Sequence, residues 1–168
     1  LNICLYLLLF TVTSTFLYFQ QASIARDSIP DRASRTAFFA HIDLLVNVLT
    51  LAIQLFFTAR VLRRFGVALT LAVVPAFSVI GFGALALAPT IAVLVALQVL
   101  RRAGNFALAR PTRELLFTVL PREDKYKAKS FIDTVVYRGG DQVGSWSYLL
   151  LSSAGLGIAG VAAVAVPL

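Results

Sequence analysis

Long runs without charge alternate along the chain with short clusters of Lys and Arg. Leu1 to Ile24 carries no charged residue, and Ala37 to Ala59 carries only Asp43, with His41 beside it. About 20 residues at 1.5 Å each cross the hydrocarbon of a bilayer, so each run predicts a transmembrane helix. The charge-free run from Phe65 to Leu100 is too long for one crossing, and Ala88-Pro89-Thr90 supplies the breaker between two. A polar stretch from Arg110 to Lys129 precedes a fifth run, and Ser152-Ser153-Ala154-Gly155 reads as a turn before a sixth. The pattern predicts an all-α membrane protein with six transmembrane helices, at about 2–24, 37–59, 67–88, 90–109, 130–151 and 155–168, the last cut short. Basic loops are expected at 60–66 and 110–129.

Polar residues inside a membrane should face protein or water, so their spacing locates an inner face. In the first span Thr11, Ser14, Tyr18 and Gln21 share a helical stripe; in the second Asp43, Asn47, Thr50 and Gln54 do. The fourth carries Gln98, Arg101, Arg102 and Asn105, and the fifth Thr134, Arg138, Asp141, Ser145 and Tyr148. The third and sixth are plain, and Gly155, Gly157 and Gly160 in the sixth suit close helix packing. The order polar, polar, plain, repeated, is that of two three-helix repeats with two helices of each lining a path, the make-up of half of many secondary transporters.

Composition narrows the class. Apolar residues make up 59% of the chain and charged residues 14%, with a mean hydropathy of +0.85, against roughly a quarter charged in ordinary soluble domains. The net charge of +7 lies in short clusters rather than on one polar face, which argues against nucleic acid as a partner. Positive residues stay on the cytoplasmic side. Arg60, Arg63 and Arg64, with Arg110, Arg113, Arg122, Lys125, Lys127 and Lys129, outnumber Arg26, Arg32 and Arg35 on the other side. Both basic loops are therefore placed in the cytoplasm, and the chain is expected in a bacterial inner membrane. With no Met, a Leu at position 1 and an apolar end at Val166-Pro167-Leu168, it reads as a piece of a longer chain.

Little speaks for catalysis. Cys4 stands alone and cannot form an internal disulfide, and one His with one Cys makes no zinc site. Gly139-Gly140-Asp141-Gln142-Val143-Gly144 lacks the lysine of a phosphate-binding loop, so a bend or a close helix contact is its expected use. Neither an enzyme nor a cofactor is expected. The chemistry lies in the charges near mid-membrane, each costing at least ~2.5 kcal/mol to place there. Arg101 and Arg102, with Arg138, Asn105 and Gln142, are candidate donors to an anionic substrate, or Arg101 or Arg102 pairs with Asp141 or Asp133. Asp43 and His41 are candidates for proton coupling.

Two segments carry a resemblance. Arg60-Val61-Leu62-Arg63-Arg64-Phe65-Gly66 resembles the degenerate basic loop of the major facilitator superfamily. Arg110-Pro111-Thr112-Arg113-Glu114-Leu115-Leu116-Phe117, followed by Asp124-Lys125-Tyr126-Lys127-Ala128-Lys129-Ser130-Phe131-Ile132-Asp133, is similar to the Asp-Pro-x-Lys-Glu-Met and Lys-x-Lys-x-Lys-x-x-x-Asp segments of the ATP/ADP antiporter family. Arg113 and Glu114 fall on that family's Lys-Glu pair, Lys127 and Lys129 on its basic run, and Asp133 on its Asp. The likeness departs at Asp141-Gln142-Val143-Gly144, where the family has a Lys-Ser-Gly-Gly-like segment. It implies the C-terminal half of a twelve-helix carrier that exchanges ATP for ADP without hydrolysis and is partnered by a missing N-terminal six-helix half. The 110–129 stretch has a second reading, an interfacial helix dipping Leu115, Leu116, Val119 and Leu120 among lipid headgroups while its lysines answer anionic lipid. Ser130 to Asp133 resembles a capping box. Rival functions are a proton-coupled carrier of the same fold and a non-transporting docking or sensor subunit.

Overall fold

Local chemistry sets where each helix begins and ends. The computed structural model describes residues 2–119 and 121–166, and every regular element among them is helical. Helix α1 (Asn2–Ser28) ends ahead of Pro30, whose ring disfavours helical backbone in the residue before it. Asp31 then caps α2 (Arg32–Ile53), accepting from the Ser34 N–H and from Ser34 Oγ, both at 2.8 Å. That backbone bond, with the hydroxyl bond second, holds the Asp31 carboxyl below its usual range. A carboxylate with a depressed native pKa stabilises the fold above its unfolded pKa and loses that contribution as pH falls through the native one. Protection factors for amide exchange in the first turn of α2, taken relative to the intrinsic rate at each pH, should therefore fall in acid, and Asp31→Ala should show the low protection already at neutral pH.

A π-helical segment, Gln54–Thr58, carries α2 into α3 (Ala59–Leu87), and the ladder breaks inside α3 at Gly66, with φ 72° and ψ −179°. Only glycine adopts that conformation without strain. Contacts with α4 (Ile91–Gly104) show what the break does. Asp43 meets Arg102 and Thr58 meets Ala107, so α2 runs parallel to α4. Beyond Gly66, a Cβ on Gly104 would meet Val74, Arg101 bonds Ser78 and Gly81 abuts Leu97, so α3 runs antiparallel to it. The chain reverses at Gly66. Arg60, Arg63 and Arg64 lie in the helix before that point, so the loop expected at 60–66 is helical almost throughout. Arg60 and Arg63 fold back to donate to Phe56 O and Ala59 O.

The stretch expected as a loop at 110–129 is also mostly helical. α4 runs through a π segment, Asn105–Ala109, into α5 (Arg110–Leu116), with Pro111 inside. Pro111 has no N–H for the carbonyls a turn earlier. Gln54 Nε2 and Thr58 Oγ1 instead donate to Phe106 O at 3.2 Å and Ala107 O at 2.8 Å, which lets the helix pass the proline. After a turn over 117–119, α6 (Arg122–Phe131), a third π segment (Ile132–Val136) and α7 (Tyr137–Ser153) form one continuous helix. Ser130 lies inside it, so the capping box expected there does not form. The interfacial helix expected between Pro111 and Pro121 is likewise not a separate element, and Leu120 lies outside the described residues.

α8 (Ile158–Ala165) covers part of the stretch expected at 155–168, of which 167–168 lie outside the described residues. Among the described residues three helical stretches are long and apolar enough to cross a membrane: Ile3–Arg26, Arg32–Leu87 with the reversal at Gly66, and Ile91–Leu116. Phe16 and Leu17 of α1, Phe82 and Leu85 of α3, Leu94 of α4 and Val161 and Ala162 of α8 form the main core. Leu44, Leu45, Val48 and Leu51 of α2, Leu55 of the π segment after it, and Trp146, Leu149 and Leu150 of α7 are exposed.

α1 and α7 run side by side and parallel, Gly140 against Thr11 and Gly144 against Thr15. A Cβ on either glycine would stand 2.8 Å from the facing threonine Cβ. The glycine-rich segment thus serves as a close helix contact. Gly155 and Gly157 meet nothing within 4 Å, so the tight packing expected at those two glycines is found one helix earlier.

Candidate functional site

A cleft of about 1000 Å³ opens between α1, α2, α4 and α7. α3 and α8, the two plain helices, contribute no lining residue. Ser14, Tyr18 and Gln21 reach it from α1, Asp43 from α2, Gln98, Arg101, Arg102 and Asn105 from α4 and its π extension, and Asp141 and Ser145 from α7. Part or all of each polar stripe therefore reaches one space, with Phe10, Phe19, Phe39 and Phe106 on its walls, while Asn47, Thr50 and Gln54 of the second stripe and Thr134 and Tyr148 of the fifth-span stripe do not line it.

Arg101 is the most constrained of these groups. It is 3% exposed and joins three helices. Nε donates to Ser78 Oγ of α3 at 3.0 Å, Nη1 to Ser14 Oγ at 3.0 Å, and Nη2 to Phe10 O at 2.8 Å and to Thr13 Oγ1. Its guanidinium carbon lies 4.3 Å from the centre of the Phe10 ring and 5.8 Å from that of Phe82. Every one of these partners is neutral. The pairing with Asp141 or Asp133 weighed from the sequence is not formed; a buried cation is held by dipoles and ring faces alone.

Arg102, one residue and about 100° further round the helix, faces the cleft and donates to Asp43 Oδ1 at 2.6 Å. Among the described residues the Asp141 carboxylate makes only a long contact, 3.5 Å, accepting from Thr15 Oγ1. Other candidates lie elsewhere. Arg138 and Gln142 are exposed and outside the cleft, because α7 turns that side away from α1. His41 is exposed too, its Nδ1 2.7 Å from Ala37 O, and it does not line the cleft that Asp43 reaches.

Arg26, Arg32 and Arg35, counted from the sequence only as loop charges, line the same cleft. Their signal was their position, at the end of one polar-striped helix and the start of the next. Along the cleft five arginines face two aspartates, and elementary electrostatics favours an anionic occupant.

The family-motif residues gather elsewhere, in a second cavity of about 270 Å³ lined by Arg113, Glu114, Lys129 and Asp133 among others. Lys127 stays outside, paired at 2.6 Å with Glu123 one turn earlier. Among the described residues no group of three or more His, Cys, Asp or Glu could hold a metal ion. No family model, curated protein or solved structure matches the chain.

Proposed function

We propose that the chain is a membrane-embedded half of a secondary active transporter of the major facilitator type, moving a small anionic solute by alternating access. Its basic helix ends face the cytoplasm of a bacterial inner membrane, and a second six-helix half covers the open side of the cleft. The observation that carries this reading is Arg101. A guanidinium buried among apolar helices without a carboxylate, on the wall of an arginine-rich cleft, is costly unless an anion arrives to use it. Arg102 and the arginines at the cleft end draw the solute in, while Asn105 and Gln98 supply neutral donors. Exchange of ATP against ADP is the cargo that the antiporter resemblance adds.

Uptake of labelled ATP into liposomes carrying the full-length protein, with and without ADP inside, tests the cargo. Stimulation by internal ADP supports nucleotide exchange; no uptake by folded protein rejects nucleotides and leaves other anions.

The ion pair of Arg102 with Asp43 favours one further reading, coupling to protons through Asp43. Both side chains are part exposed, 39% and 57%, so the pair is worth no more than about 1 kcal/mol. Under anion exchange, Asp43→Asn should release Arg102 and tighten anion binding by up to about fivefold. Under proton coupling, the same variant should abolish uptake driven by a pH gradient.

A further inference from the structure

The second cavity lies between α5, Lys129 of α6, the π segment before α7 and Leu7 of α1, and it shares no lining residue with the cleft. Arg113 is 7% exposed there. Of its five N–H donors, one on Nη1 bonds the Tyr137 hydroxyl at 2.8 Å, and Nε is buried without a partner. Among the described residues no carboxylate answers it. The adjacent Glu114 is taken by Lys129 Nζ at 2.8 Å. Asp133 lines the cavity but pairs with no cation among the described residues.

We propose that this cavity binds one phosphate group, with Arg113 as the principal donor and Arg110 and Lys129 flanking it. A planar guanidinium with unused N–H groups matches a tetrahedral oxyanion. The space, roughly nine waters' worth at about 30 Å³ each, takes such an ion with part of its hydration shell. Asp133 opposes the bound charge and keeps the affinity modest. The group is either free phosphate or the headgroup of an anionic lipid reaching the end of the bundle. Neither source depends on the transport reading.

The test is inorganic phosphate titrated into the full-length protein in neutral detergent, and in parallel nanodiscs of phosphatidylglycerol or phosphatidylcholine, each read by the thermal unfolding midpoint. A saturable rise with phosphate, lost in Arg113→Gln and reached at roughly tenfold lower phosphate in Asp133→Asn, supports a free oxyanion. A higher midpoint in phosphatidylglycerol than in phosphatidylcholine without a phosphate response, again lost in Arg113→Gln and enlarged in Asp133→Asn, supports the headgroup. No response to either in wild type and Asp133→Asn, or one unaltered by Arg113→Gln, overturns the proposal. Should Arg113→Gln fail to fold, an Asp133→Asn response equal to wild type overturns it equally.

Discussion

Gly144→Leu should leave α1 and α7 unable to pack, and the protein should lose its sharp thermal transition or elute as aggregate in detergent. A Cβ at Gly144 would sit 2.8 Å from Thr15 Cβ, 3.1 Å from Thr15 Oγ1 and 3.2 Å from Val12 Cα. Thr15 Cβ and Val12 Cα are fixed to the α1 backbone and cannot rotate away, so the helices themselves must separate. Overpacking of a close contact costs about 1–3 kcal/mol, and leucine adds three carbons beyond the one that already clashes. Gly144→Ala should give an intermediate midpoint, and Gly83→Ala, which meets nothing within 4 Å, should be near neutral. If Gly144→Leu melted like wild type, the close approach of α1 and α7 would be wrong.

Arg101→Met should keep the fold and lose anion transport. Methionine fills much of the same volume, and replacing a buried charge with an apolar side chain is often neutral or stabilising by about 1–4 kcal/mol. The hydroxyls left behind are not orphaned. Ser14 and Ser78 already bond Phe10 O at 2.7 Å and Val74 O at 2.9 Å, and Thr13 bonds Leu9 O at 2.9 Å. Arg101→Lys should instead destabilise, since one ammonium cannot reach Ser78, Ser14 and Phe10 as the planar fork does. Midpoints and uptake measured on the same preparations separate the roles. A large drop in the Arg101→Met midpoint would make Arg101 a structural clamp and remove the main support for an anion carrier.

Sequence periodicity made the helices and the cleft-lining set legible, because a polar side chain in an apolar helix has few places to go. Ser14, Gln21, Gln98, Arg101, Asp141 and Ser145 all reach the space that their stripes implied. The connections were less legible. Arg60 to Arg64 looked like a loop because they are charged, yet arginine is a good helix former and Gly66 alone turns the chain. The stretch from Arg110 looked like a loop, and the donors that carry the helix past Pro111 come from residues about fifty positions away. No local pattern encodes such a bond. Arg138 and Gln142 share α7 with Asp141 but not its facing, and the spacing of isolated polar residues could not decide which would be covered.

The three π segments, Gln54–Thr58, Asn105–Ala109 and Ile132–Val136, all fall on the same side of the Arg101 layer. Each holds hydrogen bonds of one residue longer reach than an α-helix, and Asn105–Ala109 lends two carbonyls to side chains of Gln54–Thr58. If one such turn tightened to the ordinary ladder, the helix below it would rotate by about 100° with its remaining ladder intact. Such a tightening would turn the basic end of that helix against its apolar end by a whole step of one residue, as a thread advances by its pitch.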